Sequence, residues 1–368
     1  MPRPCIVVAE IGSNHGGDPV LAEKMVKGAA ESGAGWIKFQ AYKTENFLHP
    51  QSPYFSELKN EELPFESYFR LTDLARRLGL KVGLTIFCPM GLALAEKAGA
   101  DFIKISSGDL THHNLIKIAS KSSLPLVLST GASNEDEVNA ALSLTGNNFF
   151  ALLQCTSLYP APMDLLDLAV MKRWLEMERP AGFSDHSLGP MASQIAAGLG
   201  AAMVEKHFTI DRALKGGDNF MSAAADEFKA ILNSIPSEYD SINRQKFIID
   251  REKDIFDQEK VVIDRKKVSI DQEKFGIDQQ KIIEKIMGCS EKTVKPGEEP
   301  GLIRRVAVAA RNIKAGEMID LEDVIYLRPP CRSGPFIPAD ARLSSLKALS
   351  DIHGGEPISL NDVEGPIS

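Results

Sequence analysis

Three stretches decide the fold: GFSDHSLGP at Gly182–Pro190, MVEKHFTID at Met203–Asp211 and KGGDN at Lys215–Asn219. The first two share one grammar, a short apolar run that ends abruptly in charged and imidazole side chains. A buried parallel strand reads this way when its C-terminal end opens into a site. His186 and His207 then stand on neighbouring strand ends and face one space. Asp218 follows on a Gly-Gly loop, where the backbone can fold back toward them. Two imidazoles and a carboxylate suit a divalent ion such as Mn, Fe, Co or Zn. Two isolated histidines would instead read as hydrogen-bonded structural residues. The recurrence of the pattern along the chain favours a site.

Working outward, the strand CIVVAEIG (Cys5–Gly12) ends in polar residues, and Asp18-Pro19 opens a helix with Asp as N-cap and Pro at the first position. WIKFQ (Trp36–Gln40) is the next strand, and a longer connection runs from Ala41 to about Ser67. The cycle repeats with KVGLTIF (Lys81–Phe87), FIKIS (Phe102–Ser106), PLVLST (Pro125–Thr130) and FFALLQC (Phe149–Cys155), each followed by a helix. Ser133 with Asp136 three residues on predicts a capping-box start for one of them. The strands ending in FSDH and EKHF follow, and a helix over Ala223–Ile235 closes the set. Eight strands alternating with eight helices within residues 1–236 predict an α/β fold, a closed (β/α)8 TIM barrel rather than an open doubly wound sheet. Neither GxGxxG nor GxxxxGK[ST] stands at a strand–helix turn, which leaves a dinucleotide or P-loop fold unsupported.

Residues 237–287 hold a tandem seven-residue repeat: KFIIDRE, KDIFDQE, KVVIDRK, KVSIDQE, KFGIDQQ, then KIIEKIM. Its apolar positions are the second, third and fourth of each repeat, so no a/d seam forms. It reads as a duplicated surface insertion, helical or disordered, without catalytic side chains. A Pro/Gly/Glu-rich linker covers 288–301. Residues 302–368 show short apolar runs broken by turns and predict a small, mostly β domain.

Composition is that of a soluble globular protein, 43% hydrophobic and 25% charged, with a net charge of −8 that argues against nucleic acid or an anionic membrane as a bulk partner. The five cysteines (Cys5, Cys88, Cys155, Cys289, Cys331) form no CxxC pair, which suits a reducing compartment. The first apolar run is too short for a signal peptide and no later run approaches a span, so a cytoplasmic location is expected.

The predicted strand ends carry the chemistry. In order they present Glu10, then Lys38 and Gln40, Thr85, Lys104 with Ser107 and Asp109, and Ser129. Ser157 with Tyr159, Ser184 with Asp185 and His186, and finally His207 complete the series. Two lysines inside strands are costly unless something anionic meets them. With Thr85, Ser107, Ser129 and Ser184 as hydroxyl donors they predict an oxyanion pocket, most simply for phosphate.

AEIGSNHGGD, WIKFQAY, the FIKISSGD strand end, LVLSTG, LLQCTSLYPAP, GFSDHSLG and EKHFTID resemble the N-acetylneuraminate (sialic acid) synthase family. KAGEMI and LRPP in the tail resemble the antifreeze-like (SAF) domain that family carries. The resemblance spans nearly the whole chain except the repeat. It implies condensation of phosphoenolpyruvate with an N-acylmannosamine-type sugar to a nine-carbon 2-keto acid, with release of phosphate. It places phosphoenolpyruvate contacts on Lys38, Thr85, Lys104, Ser107, Ser129 and Ser184, with Ser157 where the family has asparagine; Gln40 and Tyr159 join them as substrate-binding candidates. It places a divalent metal on His186 and His207, with Mn2+ the usual ion and Mg2+ or Co2+ as alternatives. Glu10 and Asp218 match carboxylates that face the sugar or the metal-bound water. Asp109 falls on the catalytic carboxylate, one methylene shorter than the usual glutamate, and is the expected base. Arg328 in LRPP is expected to reach the sugar from the partner subunit of a domain-swapped homodimer. The competing readings are another phosphoenolpyruvate–aldose condensing enzyme on the same barrel, a metal-dependent sugar isomerase or hydrolase, and a binding protein with an inert barrel. The identity of the acceptor sugar stays open at the level of sequence.

Overall fold

The computed structural model describes residues 5–235, 279–331, 334–341, 343 and 346–365. Eight parallel strands close into a barrel: β1 (Ile6–Gly12), β2 (Trp36–Ala41), β3 (Lys81–Ile86), β4 (Phe102–Ile105), β5 (Leu126–Ser129), β6 (Phe149–Cys155), β7 (Ala181–Asp185) and β8 (Met203–His207), with β8 paired back onto β1. Between them lie α1 (Pro19–Glu31), α2 (Phe55–Asn60), α3 (Phe65–Arg77), α4 (Pro89–Ala98), α5 (His113–Ala119), α6 (Glu135–Ser143), α7 (Leu168–Glu176) and α8 (Met191–Gly198). α9 (Ala225–Asn233) closes the ring. This is the expected TIM barrel.

The period-two alternation of a strand sorts its residues into two shells. Outward side chains such as Val7, Ala9, Ile37, Phe39, Leu84 and Ile105 pack under the helices as the main core. Inward ones stack in layers. The floor is apolar: Val8, Phe102, Val127, Ala151, Leu153 and Met203, with Ile6 and Trp36 beside them. Phe102 fills the space that Gly83 leaves empty on the paired strand, where any side chain would run into its ring. Trp36 tilts against Phe102 at 5.8 Å, and the Lys81 ammonium lies 4.9 Å over Trp36 from below. Two residues further along, the inward positions of seven of the eight strands turn polar: Glu10, Lys38, Thr85, Lys104, Ser129, Ser184 and Glu205, with Cys155 on β6.

The helix starts follow their local chemistry. Asp18 accepts from the Val20 amide at 2.8 Å ahead of Pro19, as predicted. The predicted box at Ser133 is shifted by one: Asn134 accepts from the Glu137 amide at 3.0 Å, and Glu137 accepts in return from the Asn134 amide at 2.9 Å. The side chain that can reach the third residue of the helix sets the cap.

The repeat lies outside the described residues except for its last nine, Gln279–Met287, which are helical. The chain re-enters as α10 (Gln279–Met287), which lies against α7, and continues through α11 (Pro300–Ile303). The tail that follows is small and antiparallel. β9 (Val306–Ala309) pairs with β11 (Val324–Leu327), and β10 (Met318–Ile319), β12 (Leu346–Ala348) and β13 (Val363–Glu364) form a second sheet. Ala307, Ala309, Ile313, Ile319, Ile337, Leu346 and Ile358 form its own core.

Candidate active site

Parallel registry brings the polar inward layer together. Glu10 lies level with Lys38 on one side and His207 on the other, Thr85 is level with Lys104, and Ser184 with Glu205. Lys38 Nζ is 2.7 Å from Glu10 Oε2 and donates to Thr85 Oγ1 at 2.6 Å. Lys104 is ion-paired with Glu205 and donates to Ser184 Oγ at 3.3 Å, and Ser184 donates to Glu205 at 3.0 Å. All of these side chains are buried. The two lysines are therefore met inside the chain by two carboxylates, and the pocket is a balanced network rather than a bare cationic hole. The carboxylates differ. Burial pushes Glu205 up, but Lys104 and Lys38 outweigh it and hold it down at about 2. At Glu10 burial wins over the pull of Lys38, with Glu205 adding repulsion, and its pKa is raised.

Above this layer stand the imidazoles, with ring centres 5.6 Å apart. His186 Nδ1 lies 2.8 Å from the Thr156 carbonyl, which can only accept, so Nδ1 carries a proton and, in the neutral ring, Nε2 is the atom with the lone pair. His207 is buried, its Nδ1 has no hydrogen-bond partner among the described residues, and the nearest carboxylate is Asp218 at 3.7 Å. Burial pushes Asp218 up to about 6, helped by Glu61 and Glu57. Tyr159 stacks on His186 at 4.1 Å and 27°. A ring nitrogen fixed by a carbonyl on its far side and an orphaned second ring are what a divalent ion would need. Among the described residues no three His, Cys, Asp or Glu side chains gather closely enough to cage an ion. The two histidines would hold it with the other positions left for water and ligand, an open arrangement.

The hydroxyls converge nearby. Ser107 Oγ accepts from the Gly131 amide at 3.0 Å, and a side chain at Gly131 would collide with Ser157 Oγ. Ser129 Oγ is buried without a hydrogen-bond partner among the described residues.

The tail covers one side of the mouth. Arg305 is buried, and its guanidinium donates to Asp109 Oδ1 at 2.6 Å and to the carbonyls of Phe87 at 2.5 Å, Asn46 at 2.8 Å and Tyr326 at 3.0 Å. Arg328 pairs its backbone with that of residues 47–49 and lays its guanidinium 5.1 Å over Phe47 and 5.9 Å over Phe87. Its Nε is buried without a partner among the described residues.

With this geometry in hand, comparison with known proteins is decisive. The NeuB family profile matches residues 25–246, and the SAF domain profile matches residues 304–364. The chain belongs to the NeuB family. It is 32% identical to the uncharacterized protein MJ1065 of Methanocaldococcus jannaschii over 89% of this chain and 86% of that one. It is 30% identical to the N,N'-diacetyllegionaminic acid synthase of Legionella pneumophila over 88% of this chain and 85% of that one. The crystal structure of the spore coat polysaccharide biosynthesis protein SpsE of Bacillus subtilis superposes with a TM-score of 0.76 at 25% identity, covering 100% of this chain and 97% of that one.

In this NeuB-family chain the structure gathers Glu10, Lys38, Gln40, Thr85, Lys104, Ser184, His186 and His207 in one pocket, with Gln40 Nε2 donating to Glu10 at 3.2 Å. Ser107, Ser129 and Ser157 border it at β4–β6, and Tyr159 and Asp218 stand at the imidazoles. Two of the expected residues meet the tail or belong to it. Asp109 has both carboxylate oxygens engaged. Oδ1 is taken by Arg305, Oδ2 accepts from Ser106 at 2.8 Å, and Arg305 and Arg328 outweigh burial to hold its pKa below the usual range. Arg328 was expected over a partner's barrel; within the single chain its backbone bonds to residues 47–49, and the Arg305–Asp109 pair, lay the tail on the mouth of the barrel. Sequence reasoning missed Glu205, two residues before His207 and hence on the same strand face. It also missed Arg305, whose partner is 196 residues away.

Proposed function

We propose that the chain condenses phosphoenolpyruvate with an N-acyl amino sugar of the mannosamine type, forming a nine-carbon 2-keto acid and inorganic phosphate. The observation that carries this reading is the inward row of Lys38–Thr85 and Lys104–Ser184, with Ser107, Ser129 and Ser157 beside it and two imidazoles above. Ammonium and hydroxyl donors in one buried pocket suit a ligand with both phosphoryl and carboxylate groups. Lys38 and Lys104 hold those groups while charge shifts during C–O cleavage. The enol carbon forms the new C–C bond with the sugar's aldehyde carbon, the aldehyde oxygen takes up a proton, and water adds to the cationic carbon left behind. Phosphate then departs with the C–O bond electrons. Glu10, whose pKa burial raises above the ordinary carboxylate value and whose proton affinity is thereby increased, takes the proton from that water. A divalent ion held by His186 and His207 would supply Lewis acidity at the sugar's carbonyl oxygen. The SAF tail speaks against the eight-carbon keto-sugar-acid synthases, which lack one.

Phosphate release from phosphoenolpyruvate, measured against N-acetylmannosamine, its 6-phosphate and a diacetamido trideoxyhexose, tests the reading. Release with one acceptor is expected. Release with none would sink it. Mixing His186→Ala with Arg328→Ala subunits tests the seat of the tail: hybrids stay inactive if each tail serves its own barrel, and regained activity would put the tail over a partner's.

A further inference from the structure

The segment between α10 and α11 is packed against the ends of β5 and β6. Its anchor is Glu298, only 8% exposed. Glu298 Oε1 accepts from the Ala132 amide at 2.8 Å and from the Ser157 amide at 2.6 Å, and Oε2 accepts from the Lys295 amide at 2.7 Å. A carboxylate that takes amides from the loops of two different strands ties those loops together. Ala132 has φ 53°, a conformation that a residue with a Cβ adopts at a cost, so its loop is held from outside. Immediately before it, Gly131 bonds to Ser107 Oγ and allows no side chain beside Ser157 Oγ. The hydroxyls of Ser107, Ser129 and Ser157 thus border one cradle, and Glu298 braces it. The same segment is fastened by two further side chains: Lys292 is buried with Nζ 3.5 Å from the Cys155 carbonyl, and Lys295 is ion-paired with Asp167.

We propose that Glu298 is a positioning residue for the phosphoryl group of the substrate. By holding the Ala132 and Ser157 amides on one oxygen it sets the spacing of the three hydroxyls that receive the anion, without touching it. This rests on the phosphoenolpyruvate reading and adds a residue from the segment joining barrel and tail.

The full chain is compared with Glu298→Ala and Glu298→Gln by steady-state kinetics and by calorimetric titration with phosphoenolpyruvate and with inorganic phosphate. Glu298→Ala should raise KM for phosphoenolpyruvate and weaken phosphate binding by about tenfold or more, leaving kcat and KM for the sugar within about threefold. Glu298→Gln keeps an oxygen for both amides and should recover most of the loss. An alanine variant with unchanged phosphoenolpyruvate KM, or with tighter phosphate binding, would overturn the proposal. So would a parallel fall of all constants with melting temperature, the sign of a merely structural role. If the alanine variant does not fold, Glu298→Asp must shift the same KM selectively, or the proposal falls. A parent that binds phosphate in a Glu298-dependent way yet releases none from phosphoenolpyruvate would overturn the proposed function and support the cradle. A parent that binds neither overturns both.

Discussion

On β7 and β8 consecutive residues face opposite ways, and both faces bury ion pairs. Outward, Asp185 and Lys206 meet at 3.0 Å. Asp185 also accepts from the Ser187 amide at 2.8 Å and from the Ser187 and Ser193 hydroxyls at 2.6 Å each, while Lys206 donates to the Ser187 carbonyl. Each of those side chains is answered. Inward, one residue away along the same strands, Ser184, His186, Glu205 and His207 form a network with open valences. Glu205 Oε2 and His207 Nδ1 lack hydrogen-bond partners among the described residues. Burial and charge are alike on the two faces. What differs is completeness: a satisfied network holds structure, and an unsatisfied one has room for a ligand.

The sharpest way to break that comparison is to remove an inward group. His207→Ala should cost several kcal/mol of transition-state stabilisation, about 10⁴-fold in turnover, and lower bound metal, with little change in melting temperature. Full turnover in a metal-stripped parent would detach the imidazoles from the chemistry. Next comes the choice of base. Glu10→Gln should lower kcat by about 10²-fold or more, while Asp109→Asn should chiefly loosen the tail and change kcat of the docked protein by less than about tenfold. The reverse order would return the base to Asp109. The outward pair should behave oppositely. Asp185→Ala leaves a buried ammonium uncompensated and should cost about 3–5 kcal/mol of stability, with turnover per folded molecule within about threefold. A stable but inactive variant would make the outward face part of the site.

The smallest effect concerns pH. Burial, then the charge of Arg305, push His112 down to about 3, so it stays neutral in the fold. The unfolded chain takes up a proton there below its ordinary value of about 6.5. Stability is thus complete above about 6.5 and is lost as pH falls toward 3, by about 2 kcal/mol at pH 5. His112→Phe, packed against Tyr326 in the same place, should flatten that part of the melting-temperature profile. Superimposable profiles from pH 4 to 7 would remove His112 from the account.

The barrel was legible because each strand repeats one pattern, apolar and then polar at its C-terminal end. Lys38, Lys104, His186 and His207 followed from that local rule. Glu205 obeys the same rule, but inside MVEKH three polar residues run together, and only the alternation of faces separates Glu205 and His207 from Lys206. Nothing local signals Arg305 or Glu298. Their partners, Asp109, Ala132 and Ser157, lie far away in the chain, and their roles exist only once the tail is docked. The engagement of Asp109 was hidden for the same reason, since the cation that pairs with it comes from the other domain.

The apolar floor built on Phe102 and Trp36 has a consequence for traffic. Among the described residues the barrel is stoppered below, and the tail stands across part of its mouth. Whatever enters must leave by the same route, past Arg328 and the Phe47–Phe87 pair on which it rests. Two reactants sharing one entrance invite an order: the one seated deepest, against Lys38 and Lys104, goes in first and its remnant comes out last. Release would then be paced by how often the tail gives way, and turnover would slow with solvent viscosity even while the bond-making step stayed fast.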